Sequence, residues 1–128
     1  MKLHLQPVEL HLINPWKIAS ASGSSVHRVV IFELTDHDGL TGRGEAAPSS
    51  LYKESVSSTV DFCRALDLNR LSFADVPGVM AHLETLPGIP FAVRCGLNTA
   101  LLDGAAKRAG LAVYDYLRLG FREQRHVT

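Results

Sequence analysis

The chain has 128 residues, enough to bury a single hydrophobic core, and its thirteen basic residues balance thirteen acidic ones. The absence of net charge argues against nucleic acid as a partner, and no apolar stretch reaches the roughly 20 residues that a membrane span needs. Because the amino terminus also lacks the apolar middle region of a signal peptide, we expect a cytoplasmic protein.

The first half of the chain has the patterns typical of β-strands. Residues 2–12 alternate between apolar and polar, with a phase shift at Gln6-Pro7 that predicts an edge strand carrying a bulge. Val26 to Thr35 is rich in β-branched and aromatic residues, which predicts a second strand. Residues 14–25 are mostly small or polar and predict a mobile loop between the two. Asp36-His37-Asp38-Gly39 then supplies a turn for an antiparallel return.

The returning strand carries its small residues on one face. Leu40, Gly42, Gly44 and Ala46 share that face, and three of the four have almost no side chain. Because glycine inside a strand otherwise only weakens it, we expect another part of the structure to approach the backbone closely there. The run from Gly42 to Ala47 also fits the G-x-G-x-x-A form of a dinucleotide-binding loop, but its position after a hairpin turn argues against nucleotide binding.

The second half of the chain is helical by its apolar periodicity. Stripes over residues 56–66 and 76–83 predict two helices, and a short helix is expected at residues 113–119. The strongest pattern covers Phe91 to Arg108 and stops at Gly110. Its apolar residues fall on more than one side, and a small sheet can cover only one of them, so we expect a partner surface on the other. Strands followed by helices indicate an α+β fold.

No complete catalytic constellation is visible in the sequence. The six histidines show no pair at the spacing that holds a metal from one helix. Cys63 and Cys95 lie in separate helical patterns and are interpreted as buried free thiols. Glu45 is expected on the polar side of the sheet, and Asp103 can pair with Lys107 one turn later. Both acidic residues are therefore more typical of structural roles than of a general base.

Two ordered motifs carry a resemblance that spans nearly the whole chain. Gly42-Arg43-Gly44-Glu45-Ala46-Ala47-Pro48 and the helical segment Leu101 to Leu111 are similar to the amino-terminal capping domain of the enolase superfamily, in its muconate lactonizing subgroup. Pro15-Trp16-Lys17-Ile18, with the small-residue loop after it, most resembles the dipeptide epimerases typified by L-Ala-D/L-Glu epimerase.

This resemblance implies an architecture and a set of substrate-facing positions. The expected fold is a three-stranded antiparallel meander followed by a helical bundle, with the capping domain in residues 1–120. Residues 121–128 would be a linker into a TIM barrel that is missing from this sequence. In such families, loops matching residues 14–25 and 48–52 contribute to specificity. The resemblance therefore implies Ser22, Ser24 and Tyr52 as substrate-binding residues.

The resemblance also implies the chemistry of the whole protein. It points to an isomerase that removes a proton next to a carboxylate, with Mg²⁺ bound by the missing barrel. The family's catalytic lysines and metal-binding carboxylates lie on that barrel. The chain is therefore expected to contain no catalytic residue and no metal ligand, and to be inactive alone. Its expected partners are a small-molecule substrate (a dipeptide or another carboxylate), the missing C-terminal barrel and further copies in a homo-oligomer.

Two alternatives to the epimerase interpretation stay open. The first is a cycloisomerase or dehydratase of the same subgroup. The second is a noncatalytic module that forms oligomers through the apolar face of the helix at residues 91–108.

Overall fold

The computed structural model describes residues 1–18 and 21–120, and the side chains of residues 1–14 and 25–120. Three strands precede four helices in this part of the chain. They are β1 (Lys2–Ile18), β2 (Ala21–Thr35), β3 (Thr41–Ala46), α1 (Val56–Arg64), α2 (Val76–Glu84), α3 (Phe91–Arg108) and α4 (Val113–Tyr116), with 3₁₀ turns at Ser50–Tyr52 and Leu68–Arg70. The sheet has the antiparallel order β1-β2-β3. The predicted α+β meander with following helices is confirmed, and the described residues contain no TIM barrel.

The bulge predicted at Gln6-Pro7 is wrong. β1 pairs with β2 in one unbroken register from Lys2 to His11. Leu5 packs against the core, whereas Val8 is an odd number of residues away and lies on the opposite face of the sheet. The apolar residues therefore switch from one face of β1 to the other after Leu5. This switch, and not an inserted residue, causes the change in the alternating pattern.

The loop predicted for residues 14–25 is also wrong for most of its length. β1 continues to Ile18 and β2 begins at Ala21, and Trp16 still pairs with Ser24. The register shifts between His11 and Trp16 and again between Trp16 and Ile18. Continued pairing satisfies the backbone hydrogen-bonding groups of a small-residue segment, which outweighs its loop-like composition.

The turn between β2 and β3 forms where Asp36-His37-Asp38-Gly39 predicts it. The Oδ1 atom of Asp36 accepts hydrogen bonds from the backbone amides of Asp38 (3.0 Å) and Leu40 (2.9 Å). Gly39 has a φ of +84°, a left-handed conformation that glycine adopts without steric cost. Arg108 of α3 donates to the other carboxylate oxygen of Asp36 at 3.2 Å, which ties the turn to the end of the long helix.

The glycine face of β3 is covered by α3, as the close-approach argument predicts. A Cβ atom added at Gly42 would overlap the carbonyl oxygen of Ala100 and lie 2.7 Å from the amide nitrogen of Gly104. At Gly44 an added Cβ atom would overlap the carbonyl oxygen of Gly96. Strand and helix backbones therefore touch directly, with no side chain between them.

The other apolar side of α3 is covered within the same chain. Val93, Leu97 and Leu101 are fully buried, and α3 packs against both α2 and α1 as well as against the sheet. These residues belong to one core cluster with Phe32 of β2 and Leu83 of α2. The second surface that covers α3 is thus supplied by the chain itself. The apolar sides of this helix therefore do not require an external partner.

The end of α3 is built as the sequence predicts, but α4 is shorter than expected. Gly110 follows the helix with a φ of +68°, and its amide donates to the carbonyl of Lys107 at 3.0 Å. The amide of Leu111 donates to the carbonyl of Ala106 at 2.9 Å and completes the cap. α4 then ends at Tyr116 rather than Leu119. Residues 121–128, predicted as a linker, lie outside the described residues.

The two cysteines lie in different environments, which corrects one prediction. Cys63 is buried as expected, whereas Cys95 is exposed. Cys95 shares the solvent-facing side of α3 with Phe91 and Thr99, four residues before and after it.

No helix in the described part of the chain is both long and apolar enough to cross a membrane.

Candidate functional site

A two-stranded arm extends beyond the core at one end of the sheet. β3 ends at Ala46, which pairs with Val30, so residues 8–18 of β1 and 21–29 of β2 continue without a third strand. We call this pair of segments the arm. The chain leaving β3 forms the crossover loop, residues 47–55, which leads into α1.

A groove of about 590 Å³ lies between the base of the arm and the crossover loop. Its volume falls within the range of small-molecule pockets, roughly 300–1,000 Å³. The groove is lined on the arm side by Val26, His27 and Arg28, and on the loop side by Ala47, Pro48, Ser49, Ser50, Glu54, Ser55, Val56 and Ser57. Two segments that are about twenty residues apart in sequence therefore meet around one polar cleft.

Serine side chains set the local conformation of the crossover loop. Ser49 Oγ accepts a hydrogen bond from the amide of Leu51 at 3.3 Å, at the start of the 3₁₀ turn. Ser55 caps α1 by accepting from the amide of Ser58 at 3.1 Å, and Ser58 Oγ in turn accepts from the amide of Ser55 at 2.9 Å. Between these two caps, Lys53 has a φ of +58°, a left-handed conformation unusual for a residue with a side chain.

The crossover loop is also fastened to the amino terminus of α3. The Oε1 atom of Glu54 accepts a hydrogen bond from the backbone amide of Phe91 at 2.6 Å. The rings of Tyr52 and Phe91 meet edge to face at a centroid distance of 5.3 Å. The guanidinium carbon of Arg94 lies 5.2 Å from the centroid of the same Phe91 ring. Phe91 is therefore the anchor point for both Tyr52 and Glu54.

An exposed ion pair links the two strands at the base of the arm, beside the groove. Arg28 Nε donates to Glu9 Oε1 across the two strands at 2.6 Å. This hydrogen bond and the positive charge of Arg28 lower the pKa of the Glu9 carboxyl below its ordinary value. Arg28 and Glu54 give the groove lining one basic and one acidic side chain.

The substrate-binding residues predicted from the sequence are only partly described. Tyr52 is 59 % exposed, but it packs against Phe91 and does not line the groove. Ser22 and Ser24 belong to β2 within the arm, and their side chains lie outside the described part of the structure. The roles of all three residues stay predictions.

The acidic residues considered for catalysis have structural partners or face solvent. Asp103 Oδ2 accepts from the backbone amide of Arg43 at 2.8 Å and from Lys107 Nζ at 2.6 Å. Lys107 also donates to the carbonyl of Thr41 at 3.1 Å. Glu45 is exposed on the strand face opposite the core. Within residues 1–18 and 21–120, no three His, Cys, Asp or Glu residues are grouped so that they could hold a metal ion.

Glu54 is the residue of this site that sequence reasoning missed. One signal for it exists, because Pro90 at the start of α3 has no side chain able to cap the helix. An external acceptor could therefore be expected for the Phe91 amide. Its identity could not, since Glu54 lies 37 residues away in sequence.

Comparison with known proteins places this geometry in a family. Residues 2–118 match the model of the mandelate racemase / muconate lactonizing enzyme N-terminal domain. The chain is 45 % identical, over its whole length, to the L-Ala-D/L-amino acid epimerase of Pedosphaera parvula, and the match covers 38 % of that protein.

Solved structures of similar proteins share the fold. The dipeptide epimerase of Methylococcus capsulatus, complexed with Mg and the dipeptide L-Arg-D-Lys, is 26 % identical with a TM-score of 0.78. The match covers 91 % of this chain and 34 % of that one. The muconate lactonizing enzyme of Pseudomonas fluorescens, complexed with muconolactone, is 27 % identical with a TM-score of 0.79, over 91 % and 33 % of the two chains.

The chain thus spans between a third and two fifths of the length of these relatives. The three-stranded meander, the helix packed on its glycine face and the match over residues 2–118 agree with one another. On these grounds the chain belongs to the family of mandelate racemase / muconate lactonizing enzyme N-terminal domains.

Proposed function

We propose that this chain is the capping domain of an enolase-superfamily epimerase that inverts the configuration of a dipeptide at the carbon next to its carboxylate. The observation that carries the proposal is the 45 % identity, over the full chain, with an L-Ala-D/L-amino acid epimerase. The similarity to a dipeptide epimerase solved with a bound dipeptide supports the same substrate class.

In this proposal the arm and the crossover loop cover the substrate. Their groove, with His27, Arg28 and several serines in its lining, offers hydrogen-bonding and charged groups to a polar ligand. Ser22, Ser24 and Tyr52 are proposed as further residues that contact the substrate, with Tyr52 reaching it from the crossover loop beside the groove that it does not line. A cover of this kind excludes water and orients the ligand, which raises the effectiveness of charged groups elsewhere in the active site.

The proton transfer itself is assigned to the remainder of the whole protein. Removing a proton next to a carboxylate needs a cation to stabilise the developing negative charge and a base to accept the proton. The described residues of this chain do not fit a Mg²⁺ site, because they contain no suitable group of metal ligands. We propose that Mg²⁺ and the base belong to a barrel outside this sequence, and that the chain alone is inactive.

Proton exchange in deuterated water tests the proposed reaction. The protein as its gene encodes it is incubated with Mg²⁺ and a panel of L-Ala-L-amino acid dipeptides, and the α-proton of the second residue is followed by NMR. We expect that proton to exchange with solvent as the second isomer accumulates. If no dipeptide in the panel exchanges while another carboxylate is converted, the epimerase assignment is wrong.

Cycloisomerisation is the second candidate, because the chain is as similar to a muconate lactonizing enzyme as to a dipeptide epimerase among the solved structures. Incubating the same preparation with muconate and following lactone formation by absorbance distinguishes the two. Conversion of muconate without dipeptide exchange would favour the cycloisomerase.

A further inference from the structure

We propose that Glu54 is a positioning residue, which holds the crossover loop in its substrate-covering conformation by capping α3 from outside that helix. The inference rests on the proposed function, since it assigns the loop to a substrate groove. It concerns a residue that would act through the loop and would not touch the reacting atoms.

The first step is that α3 lacks a cap of its own. Its first residue, Phe91, has a backbone amide without a partner inside the helix, and Pro90 before it provides no side-chain acceptor. Glu54 supplies the acceptor at 2.6 Å, and its carboxylate makes this a charge-assisted hydrogen bond. A carboxylate at this end is further stabilised by the helix dipole.

Glu54 also connects the beginning and the end of the crossover loop. Its backbone amide donates to the carbonyl of Ser49, near the start of the loop, at 3.0 Å. Ser55, the next residue, caps α1. Glu54 and Ser55 together therefore link Ser49, the start of α1 and, through the Glu54 carboxylate, the start of α3.

The third step is that the loop needs such a restraint. Lys53, directly before Glu54, has a φ of +58°. This left-handed conformation is strained for a residue with a side chain, so it persists only where the surrounding structure holds it. Tyr52 reaches Phe91 only by a ring contact at 5.3 Å, which permits more movement than a short hydrogen bond. Without the Glu54 carboxylate, we expect residues 49–53 to populate other conformations and the groove to lose its shape.

The expected kinetic consequence is a change in substrate binding with little change in the chemical step. A loop that spends less time in the binding-competent conformation weakens apparent affinity by the fraction of time lost. Loss of a helix cap shifts the balance between the two loop conformations by about fivefold, so KM should rise by up to about fivefold. The kcat value should change by less than about twofold, because the reacting groups are not displaced.

The experiment compares Glu54→Ala, Glu54→Gln and a matched control, Asp75→Ala, in the protein as its gene encodes it. Asp75 caps α2 through the amide of Gly78 at 2.9 Å and does not line the groove. We expect KM for the best dipeptide to rise by up to about fivefold in Glu54→Ala and less in Glu54→Gln, which keeps an acceptor oxygen. Asp75→Ala should lose similar stability and leave KM unchanged.

Hydrogen exchange of the backbone amides provides the second readout. In Glu54→Ala, the amides of residues 50–53 and of Phe91 should exchange faster, whereas Asp75→Ala should affect only α2. Unchanged exchange in the loop overturns the positioning role, whatever the kinetics show. Faster exchange with an unchanged KM shows that Glu54 only stabilises the fold, which also overturns it.

Failure of the proposed reaction can be told apart from failure of this inference. If the wild-type protein converts muconate and not dipeptides, the epimerase assignment fails, and KM is then measured for muconate in the same variants. If Glu54→Ala does not fold, Glu54→Gln decides the outcome by the same two readouts, with a smaller effect expected.

Discussion

The two thiols of the chain differ in accessibility, and this difference is directly measurable. Cys95 is exposed on α3, whereas Cys63 is buried in α1 against the core. We expect one thiol per chain to react rapidly with a disulfide reagent at neutral pH, and the second only after unfolding in denaturant. The variant Cys95→Ser should remove the fast reaction. A native chain in which both thiols react at the same rate would contradict the burial of Cys63.

Burial also gives Cys63 an effect on stability at alkaline pH. It raises the pKa of the Cys63 thiol from 9.0 to about 12. In the unfolded chain the thiol ionises first, so the folded chain holds more protons between these two values. The contribution of Cys63 to the free energy of unfolding is therefore complete below pH 9 and falls as pH rises toward 12. Chemical denaturation should show the wild-type advantage over Cys63→Ala shrinking across that interval.

At the level of elements, the contact between β3 and α3 is the least tolerant of added volume. A Cβ atom at Gly44 would overlap the carbonyl oxygen of Gly96, and backbone atoms cannot move aside as a flexible side chain would. We expect Gly44→Ala to lower the free energy of unfolding by about 3 kcal/mol, the upper end for overpacked cores, as measured by urea denaturation. Glu45→Ala, on the exposed face of the same strand, should change it by less than about 0.5 kcal/mol.

The outer edge of β3 is protected by side chains of α3. Asp103 accepts from the Arg43 amide and Lys107 donates to the Thr41 carbonyl, so two backbone groups of an edge strand are satisfied. We expect Asp103→Ala to cost about 1–2 kcal/mol of unfolding free energy, because the Arg43 amide loses its acceptor and the Lys107 ammonium loses one of two.

An exposed pair on α1 provides the control for this prediction. Asp61 and Arg64 are 3.7 Å apart and more than 70 % exposed, so Asp61→Ala should cost less than about 0.5 kcal/mol. Equal losses in Asp61→Ala and Asp103→Ala would show that the edge hydrogen bonds add nothing beyond a surface charge pair.

The elements that could be predicted from the sequence are those whose signal is local. The bounds of α3 follow from a proline before it, a glycine after it and an apolar pattern between them, and all three lie within about twenty residues. The same holds for the turn at Asp36 and Gly39, where side-chain hydrogen bonding and a positive φ are properties of single residues. The arm was mispredicted because its strands are maintained by pairing with each other, which a small-residue composition does not reveal.

The candidate site was less accessible to prediction because it depends on distant contacts. The sequence resemblance drew attention to the crossover loop and to Tyr52, but the ring contact with Phe91 and the carboxylate of Glu54 join segments more than thirty residues apart. Cys95 was mispredicted for a related reason. The pattern of α3 is apolar on several sides, so the one exposed face could not be identified before the packing of α1 and α2 was known.

At the scale of the whole molecule, the segment after α3 carries the largest group of exposed apolar side chains among those that the structure describes. Large side chains that remain at least 36 % exposed occur at five positions there: Leu111, Val113, Tyr114, Leu117 and Leu119. We expect the 128-residue chain to bind an apolar fluorescent dye in its native state, and the double variant Leu117→Ser/Leu119→Ser to bind less. Circular dichroism would establish that the variant is folded. Equal dye fluorescence in both proteins would place the apolar surface elsewhere.

The direct contact between the backbones of β3 and α3 also fixes a length in the molecule. Four helical residues rise about 6.0 Å and two strand residues about 6.8 Å, so Gly96, Ala100 and Gly104 are spaced nearly as Gly44 and Gly42 are. Sliding α3 by about one turn would bring one of the helix carbonyl oxygens over Leu40 or Ala46, which share the face of these two glycines and carry a Cβ atom. Phe91 lies about 7.5 Å along the helix from Gly96. The two glycines of β3 therefore set the position of α3 along the sheet. Because Phe91 at the start of α3 holds Glu54, they also set the distance between the sheet and the crossover loop.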